Sequence, residues 1–95
     1  MSAGPAIDVS GVLVLPDSGC RLSLRSYSKV KPGEPNLSCY DKVGEILWDA
    51  EEVQPSDKWV AVRLEGDRII ANSFGGFLCE LDRANGKIVS SKFVK

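Results

Sequence analysis

The chain has 95 residues, of which 43% are hydrophobic and 26% charged, a composition typical of one folded domain rather than of a disordered or fibrous protein. Its formal net charge is −1, from 12 basic and 13 acidic residues, so it offers no general attraction for phosphate backbones or anionic lipid. Composition and charge therefore argue against binding to nucleic acid or to a membrane surface.

The beginning of the chain lacks a basic segment followed by an apolar run, and no stretch approaches the ~20 apolar residues of a membrane-spanning helix. The three cysteines, Cys20, Cys39 and Cys79, are odd in number and lack the CxxC spacing. This pattern favours reduced thiols that are buried as small hydrophobic groups. We therefore expect a cytoplasmic protein without a disulfide framework.

The first predicted elements are two strands. Residues 11–16 form a short, continuous apolar run, which predicts a strand that is buried on both faces. Residues 20–27 alternate instead, with Leu22 and Leu24 on one face and charged or hydroxyl side chains on the other. The second strand is therefore expected to be half exposed.

A loop at residues 29–36 follows, because its two prolines and its glycine exclude both a helix and a central strand. Residues 37–41 and 45–48 then predict a hairpin around a short connection at 42–44. Residues 49–58 are polar, and the proline among them limits any helix there to one turn.

The second half of the chain has tighter turns between its predicted strands. The connection containing Asn85 and Gly86 is the strongest hairpin signal, since both residue types tolerate the positive φ of a type I′ turn. The four predicted strands cover residues 59–64, 68–73, 77–82 and 87–95.

The two halves repeat one pattern. Residues 37–47 and 78–89 share Leu-x-x-apolar-Asp, a short turn and Gly-charged-Ile-apolar, with one inserted residue in the second copy. Each half therefore predicts a four-stranded antiparallel meander close to the ~40 to 45 residues of a propeller blade. The first blade-like repeat covers residues 9–51 approximately, and the second covers 57–95.

The segment LSCYDKVGEILW at residues 37–48 resembles the strand-turn-strand motif of quinoprotein-like β-propeller repeats. In that motif an Asp ends one strand, a Gly turns and a Trp closes the next strand. Ser90 stands at the position of Trp48 in the second copy. The resemblance implies blade structure and brings no catalytic residues, because propeller chemistry lies in variable loops.

Residues 57–95 resemble short uncharacterised bacterial proteins, a kind that also occurs as gene-cassette products. The resemblance includes the segment ANSFGGF at residues 71–77, where those proteins commonly read Asn-Ser-Trp-Ser-Gly-aromatic. This chain departs from them with Phe74 and Gly75. The resemblance implies a protein of unknown function and no particular activity.

These patterns predict a single all-β domain of about seven to eight antiparallel strands in two propeller-blade-like, four-stranded meanders. The meanders are expected to form a twisted sheet or a small sandwich, with at most one short helical turn. Two blades cannot close a propeller ring, which needs four to eight. Since a single-layer sheet leaves one face wet, we expect a homo-oligomer, and a two-fold dimer is the commonest case.

Ser73 is placed relative to Gly75 like the nucleophile of a hydrolase turn, but catalysis is not expected from it. The chain contains no histidine to activate a serine, Ala71 replaces the first glycine of that turn, and a strand rather than a helix follows. The missing histidine and the scattered cysteines also argue against a zinc site. We therefore predict no catalytic residue, no metal and no cofactor.

The sequence instead predicts a non-enzymatic interaction module that contacts itself, another protein or a small ligand. We expect the loops at 29–36 and 49–58 to form the contact surface, with the turn at 74–76 nearby. The candidate interface or ligand residues are Trp48, Trp59, Asn72, Ser73, Phe74 and Phe77.

An alternative is a small carbohydrate-binding protein or hydrolase that uses Asp41, Asp82, Glu80 and the tryptophans. It requires the carboxylates of Asp41 and Asp82 to face each other in one cleft. If each carboxylate instead bonds the backbone of its own turn, as Asp commonly does, that alternative loses its candidates.

Overall fold

The computed structural model describes residues 6–16, 18–31 and 33–94, and nine strands lie within them. The strands form two antiparallel sheets, with the orders β1-β6-β7-β8-β9 and β2-β3-β4-β5. The prediction of an all-β fold is confirmed, and only β1 was not predicted. The strand bounds are β1 Ala6–Asp8, β2 Gly11–Val14, β3 Arg21–Leu24, β4 Leu37–Tyr40, β5 Ile46–Asp49, β6 Trp59–Glu65, β7 Arg68–Ser73, β8 Phe77–Leu81 and β9 Ile88–Phe93.

The strand register of the four-stranded sheet separates an apolar face from a mixed face. Side chains alternate between the two faces of a strand, so each row of paired residues lies on one face. One buried row consists of Leu13, Leu22, Cys39 and Trp48. The neighbouring row, on the outer face, consists of Val12, Ser23, Ser38 and Asp49.

The five-stranded sheet has the same division. Two inner rows consist of buried residues. One row contains Val62, Ala71 and Cys79, and the other contains Leu64, Ile69 and Leu81. One of its outer rows contains Arg63, Ile70, Glu80 and Ser90. The inner faces of both sheets contribute to one hydrophobic core, so the chain forms a small sandwich.

Asn36 connects the two sheets at one end of the sandwich. Its side-chain amide donates hydrogen bonds to the carbonyl oxygens of Arg25 and Trp59, and its amide oxygen accepts the backbone N–H of Trp59 at 3.0 Å. Asn36 is fully buried, and these bonds satisfy its donors and its acceptor. The side chain thus joins the end of β3 to the start of β6.

Trp48 connects the first repeat to the second. Its indole N–H donates to the carbonyl oxygen of Arg83 at 2.9 Å, and its ring covers Gly86 in the loop between β8 and β9. A Cβ atom at Gly86 would lie 2.2 Å from the indole ring. The closing Trp of the first repeat therefore packs on the turn of the second repeat.

Two predictions for individual elements are wrong. Residues 11–16 are not buried on both faces, because Val12 and Val14 are more than half exposed on β2, an edge strand of its sheet. The loop at 83–86 is not a type I′ turn, which requires a positive φ at both central residues. Gly86 has a positive φ of 73°, but Asn85 does not have a positive φ. The loop runs between Asp82 and Lys87, whose backbone groups pair at 2.8 Å.

Residues 49–58 contain a turn rather than a helix, in which the backbone N–H of Asp57 donates to the carbonyl oxygen of Gln54. This agrees with the predicted limit of at most one helical turn. Within the described parts of the chain, no helix is long and apolar enough to cross a membrane.

Candidate functional site

Ser73, the residue placed like a nucleophile, lies at the end of β7 and is buried. Its hydroxyl donates to the Asp57 carboxylate at 2.8 Å and accepts the backbone N–H of Phe77 at 3.1 Å. The same Asp57 carboxylate accepts the backbone N–H of Gly75 at 2.8 Å and the side-chain amide of Gln54 at 3.0 Å. Ser73 and Asp57 thus hold the turn between β7 and β8.

Gly75 is the residue that allows this approach. A Cβ atom at position 75 would lie 2.6 Å from a carboxylate oxygen of Asp57, closer than nonbonded atoms come. The turn is closed by the N–H of Gly76, which donates to the carbonyl oxygen of Ser73 at 3.1 Å. The predicted Gly-Gly turn is therefore confirmed, and its first glycine makes room for the carboxylate.

Three segments meet next to this turn and form an open cleft of about 240 Å³, which we call the end cleft. It is lined by Tyr27, Val30, Ser56, Lys58 and Phe74. The Tyr27 and Phe74 rings are in contact across the two sheets, with centroids 5.1 Å apart and planes inclined by 45°. The loops at 29–36 and 49–58 and the turn at 74–76 thus each contribute to one cleft.

Lys58 is the charged side chain of the end cleft, and it is 8% exposed. Its ammonium group donates to the carbonyl oxygen of Glu34 and forms an ion pair with the Glu52 carboxylate at 2.8 Å. Burial of an ammonium group is costly unless it is paired and hydrogen-bonded, and both conditions are met here. The charge of this lining residue is therefore compensated.

The candidate residues are not all on the surface. Trp48 and Trp59 are 7% and 1% exposed, so the structure corrects the expectation that they form a contact surface: they belong to the core. Asn72 and Phe77 are half-buried, and Phe77 packs on Phe93 of β9 with ring centroids 5.3 Å apart. Among the six candidates, Phe74 is the exposed one, at 61%.

The carboxylates of the enzymatic alternative do not converge. Asp41 accepts the backbone N–H groups of Val43 and Glu45, both at 2.9 Å, within its own turn. Asp82 likewise accepts the N–H of Ala84 at 2.7 Å. Each carboxylate thus stabilises the connection that follows it, and this geometry does not provide the pair that a glycosidase needs.

Glu80, the third acid of that alternative, lies on the outer face of the five-stranded sheet. The Arg68 guanidinium donates to it at 2.7 Å and lowers the pKa of the Glu80 carboxyl below its ordinary value. A carboxyl that is held ionised is unsuited to act as a general acid. Among the residues described here, no group of three acidic or thiol side chains is placed to hold a metal ion.

The last strand, β9, is an edge of the five-stranded sheet and is exposed along most of its length. It pairs with β8 on one side, and its residues from Val89 to Phe93 are exposed. Val89 and Phe93 are both large apolar side chains, and Phe93 is 58% exposed. This edge and the end cleft are two of the surfaces on which large apolar side chains are exposed. The other exposed apolar side chains include Val12 and Val14 on β2 and Val43, Ile46 and Leu47 at or near β5.

Neither Lys58 nor β9 was among the sequence-based candidates. Lys58 is not marked by any local pattern, since its partners Glu34 and Glu52 come from two loops. The exposure of β9 had a sequence signal: Ser90 stands where the first repeat has Trp48, so the second repeat lacks the residue that would pack onto a further repeat.

The family comparison covers most of the chain. A family model described as a domain of unknown function, DUF7957, matches residues 9–93. Neither the comparison with curated proteins nor that with solved structures gives a significant match. The matched range includes β2 to β9, and the chain therefore belongs to the DUF7957 family of domains of unknown function.

Proposed function

We propose that the protein is a cytoplasmic, non-enzymatic interaction module that self-associates as a dimer through β9. The observation that carries this proposal is the exposed edge of β9, with Val89 and Phe93 facing solvent. The three cysteines are free thiols, as expected for a reducing compartment.

An exposed edge strand presents unpaired backbone groups that can pair with another chain, and natural proteins shorten or block such edges. Within the described residues, the opposite edge of this sheet, β1, comprises three residues, whereas β9 comprises six. The β9 edge is covered at its start, where the Glu51 carboxylate accepts the N–H of Ile88 at 2.9 Å. The rest of β9 therefore offers the longer edge for pairing.

The hydrogen-bond alternation identifies which backbone groups of β9 point outward. The N–H of Val94 donates to the carbonyl oxygen of Gly76. In an antiparallel pair, the backbone N–H and C=O groups of every second residue point to the same neighbour, so those of every second residue before Val94 point toward β8. The register pairs Lys92 with Leu78 as the next residues that exchange hydrogen bonds. The N–H and C=O groups of Ser91 and Phe93 consequently point away from β8.

Charge disfavours one of the registers in which β9 could pair with a second copy. An antiparallel two-fold centred on Ser91 places Ser91 opposite Ser91 of the second copy and Lys92 opposite Ser90. A two-fold centred on Lys92 would instead place two lysines directly opposite each other, which is destabilising. We therefore expect the dimer to be centred on Ser91.

The test is sedimentation velocity of the purified chain at micromolar concentration, with Ser91→Pro as the diagnostic variant. Proline removes the outward N–H of Ser91 and is tolerated on an edge whose N–H faces solvent. We expect the unchanged chain to sediment at twice the mass of one chain and Ser91→Pro to sediment as a folded monomer.

Lys92→Pro is the matched comparison, because the N–H of Lys92 points toward β8. This variant is expected to lower the free energy of unfolding by removing a hydrogen bond inside the sheet. A monomeric unchanged chain, or a Ser91→Pro variant that remains dimeric, would overturn the proposal.

A further inference from the structure

We propose that the end cleft is a binding site for a small ligand that combines a planar apolar ring with an uncharged oxygen acceptor, such as a carbonyl group. This site lies at the loop end of the sandwich and does not depend on self-association through β9. Three features of the cleft support it.

The first feature is the aromatic pair. Tyr27 follows β3 of one sheet and Phe74 lies in the turn between β7 and β8 of the other, yet their rings are in contact. Both rings remain exposed, Phe74 to 61%. Two aromatic side chains that touch each other and still face solvent offer a surface on which a planar ring can stack.

The second feature is Lys58, a buried lysine that lines the cleft. An ammonium group has three N–H donors, and two of them are used by the Glu34 carbonyl oxygen and the Glu52 carboxylate. No third hydrogen bond of this group is formed within the described residues, and the proposal assigns the third donor to an oxygen of the ligand. A ligand pocket typically combines such an isolated polar group with apolar walls, here supplied by Val30 and the two rings.

The third feature is the backbone of Ser56, which has a φ of 63°. A non-glycine residue in this region is strained, and such residues cluster at ligand-binding sites. Ser56 lines the same cleft as the aromatic pair and Lys58. Three independent departures from an ordinary loop surface therefore coincide at one place.

The charges decide which polar group the ligand carries. Glu52 compensates the charge of Lys58 at 2.8 Å, and Lys58 is the charged side chain among the described residues that line the cleft. This lining therefore has no unpaired positive charge to attract an anion. A carboxylate on the ligand would also approach the Glu52 carboxylate. An uncharged acceptor uses the third donor of Lys58 without either conflict, and a cation is disfavoured by Lys58 itself.

The experiment is an NMR titration of the isotope-labelled full chain with three soluble probes. Benzamide has a planar ring and a carbonyl acceptor, cyclohexanecarboxamide keeps the acceptor but lacks the planar ring, and benzylamine keeps the ring but carries a cation. We expect benzamide to shift the resonances of Tyr27, Ser56, Lys58 and Phe74 and to bind more tightly than the other two probes.

Two phenylalanine variants serve as a matched pair, since Phe74 and Phe93 are similarly exposed. Phe74→Ala is expected to weaken benzamide binding about 2- to 10-fold, the effect of losing one aromatic contact. Phe93→Ala lies on the β9 edge and is expected to leave benzamide binding unchanged while it weakens the dimer. The two variants therefore separate failure of the ligand site from failure of self-association.

Lys58→Met tests the hydrogen bond that Lys58 is proposed to donate to the oxygen acceptor of the ligand. It is expected to abolish the preference for benzamide over benzylamine, with retained chemical-shift dispersion as the check that the chain is folded. The proposal is overturned if benzamide shifts no resonance of the cleft, if the three probes bind equally, or if Phe74→Ala and Phe93→Ala affect benzamide binding to the same extent.

Discussion

Asp57 shows how a polar residue in an irregular segment can determine the geometry of a distant turn. The carboxylate is buried at the end of the loop between β5 and β6, and its hydrogen-bond donors include a hydroxyl, a backbone N–H and a side-chain amide. Carboxylates with several such donors are stable in the interior without a paired cation. The sequence ANSFGGF therefore depends on a residue outside it.

Replacing Asp57 by Ala is expected to lower the free energy of unfolding by about 2 to 4 kcal/mol, because the hydroxyl of Ser73 and the N–H of Gly75 lose their acceptor. Urea unfolding followed by tryptophan fluorescence measures the change. Asp67→Ala, which changes an exposed acid in the turn between β6 and β7, is the control and is expected to have an effect within about 0.5 kcal/mol. Equal effects of the two variants would contradict the role of Asp57.

At the scale of elements, the two repeats can be compared directly in the loops that follow Asp41 and Asp82. Each loop is closed by backbone pairing at the Asp, and each ends with a glycine of positive φ, Gly44 at 93° and Gly86 at 73°. The second loop is one residue longer, and this is the residue inserted in the second copy of the repeat. The surroundings of the two glycines differ more than the loop lengths do, since Gly86 lies under the Trp48 ring and Gly44 is in open space.

These two glycines give a matched pair of variants. Gly44→Ala carries only the backbone cost of a positive φ, about 1 kcal/mol. Gly86→Ala carries the same cost and in addition displaces the Trp48 ring, so we expect a loss of about 3 kcal/mol or more in the free energy of unfolding. Chemical unfolding of both variants measures the difference. Losses of equal size would show that the contact between the repeats contributes nothing.

The elements were largely predictable because alternation and turn residues act locally. Leu22 and Leu24 are buried as predicted, while their neighbours on β3 are more exposed. The burial of β2 was not predictable in this way, because Val12 and Val14 face solvent while the sequence shows only apolar residues. Whether an apolar strand is covered depends on its place in the sheet, and that place is set by residues far away in the chain.

At the scale of the whole molecule, the sandwich changes the reason to expect self-association. A single-layer sheet would have needed a partner to cover one face, but here the two sheets cover each other, and their outer rows mix polar and apolar side chains. The argument now rests on the edge of β9. The candidate site was predicted in part: the three loops converge at the end cleft, whereas Trp48 and Trp59 complete the core.

The buried thiols of the sandwich core are expected to lower the stability of the whole molecule at alkaline pH. Burial raises the pKa of the Cys39 thiol to about 11, and the neighbouring Cys20 thiol acts in the same direction while Arg83 opposes it. Burial is also the main reason that the pKa of Cys79 is raised, with the charge of Asp57 adding to it. The folded protein therefore holds these two thiol protons more tightly than the unfolded chain does.

Because an unfolded thiol ionises near pH 9.0, the contribution of Cys39 to stability is complete below that pH and is lost between pH 9.0 and about 11. In that interval the Cys39 thiol is expected to lower the free energy of unfolding by about 1.4 kcal/mol per pH unit. Urea unfolding at a series of pH values across this interval measures the slope. The Cys39→Ala variant lacks this thiol, so its free energy of unfolding is expected to fall less steeply with pH, by the contribution of one thiol. An unchanged slope would mean that the Cys39 thiol ionises as readily in the folded core as in the unfolded chain.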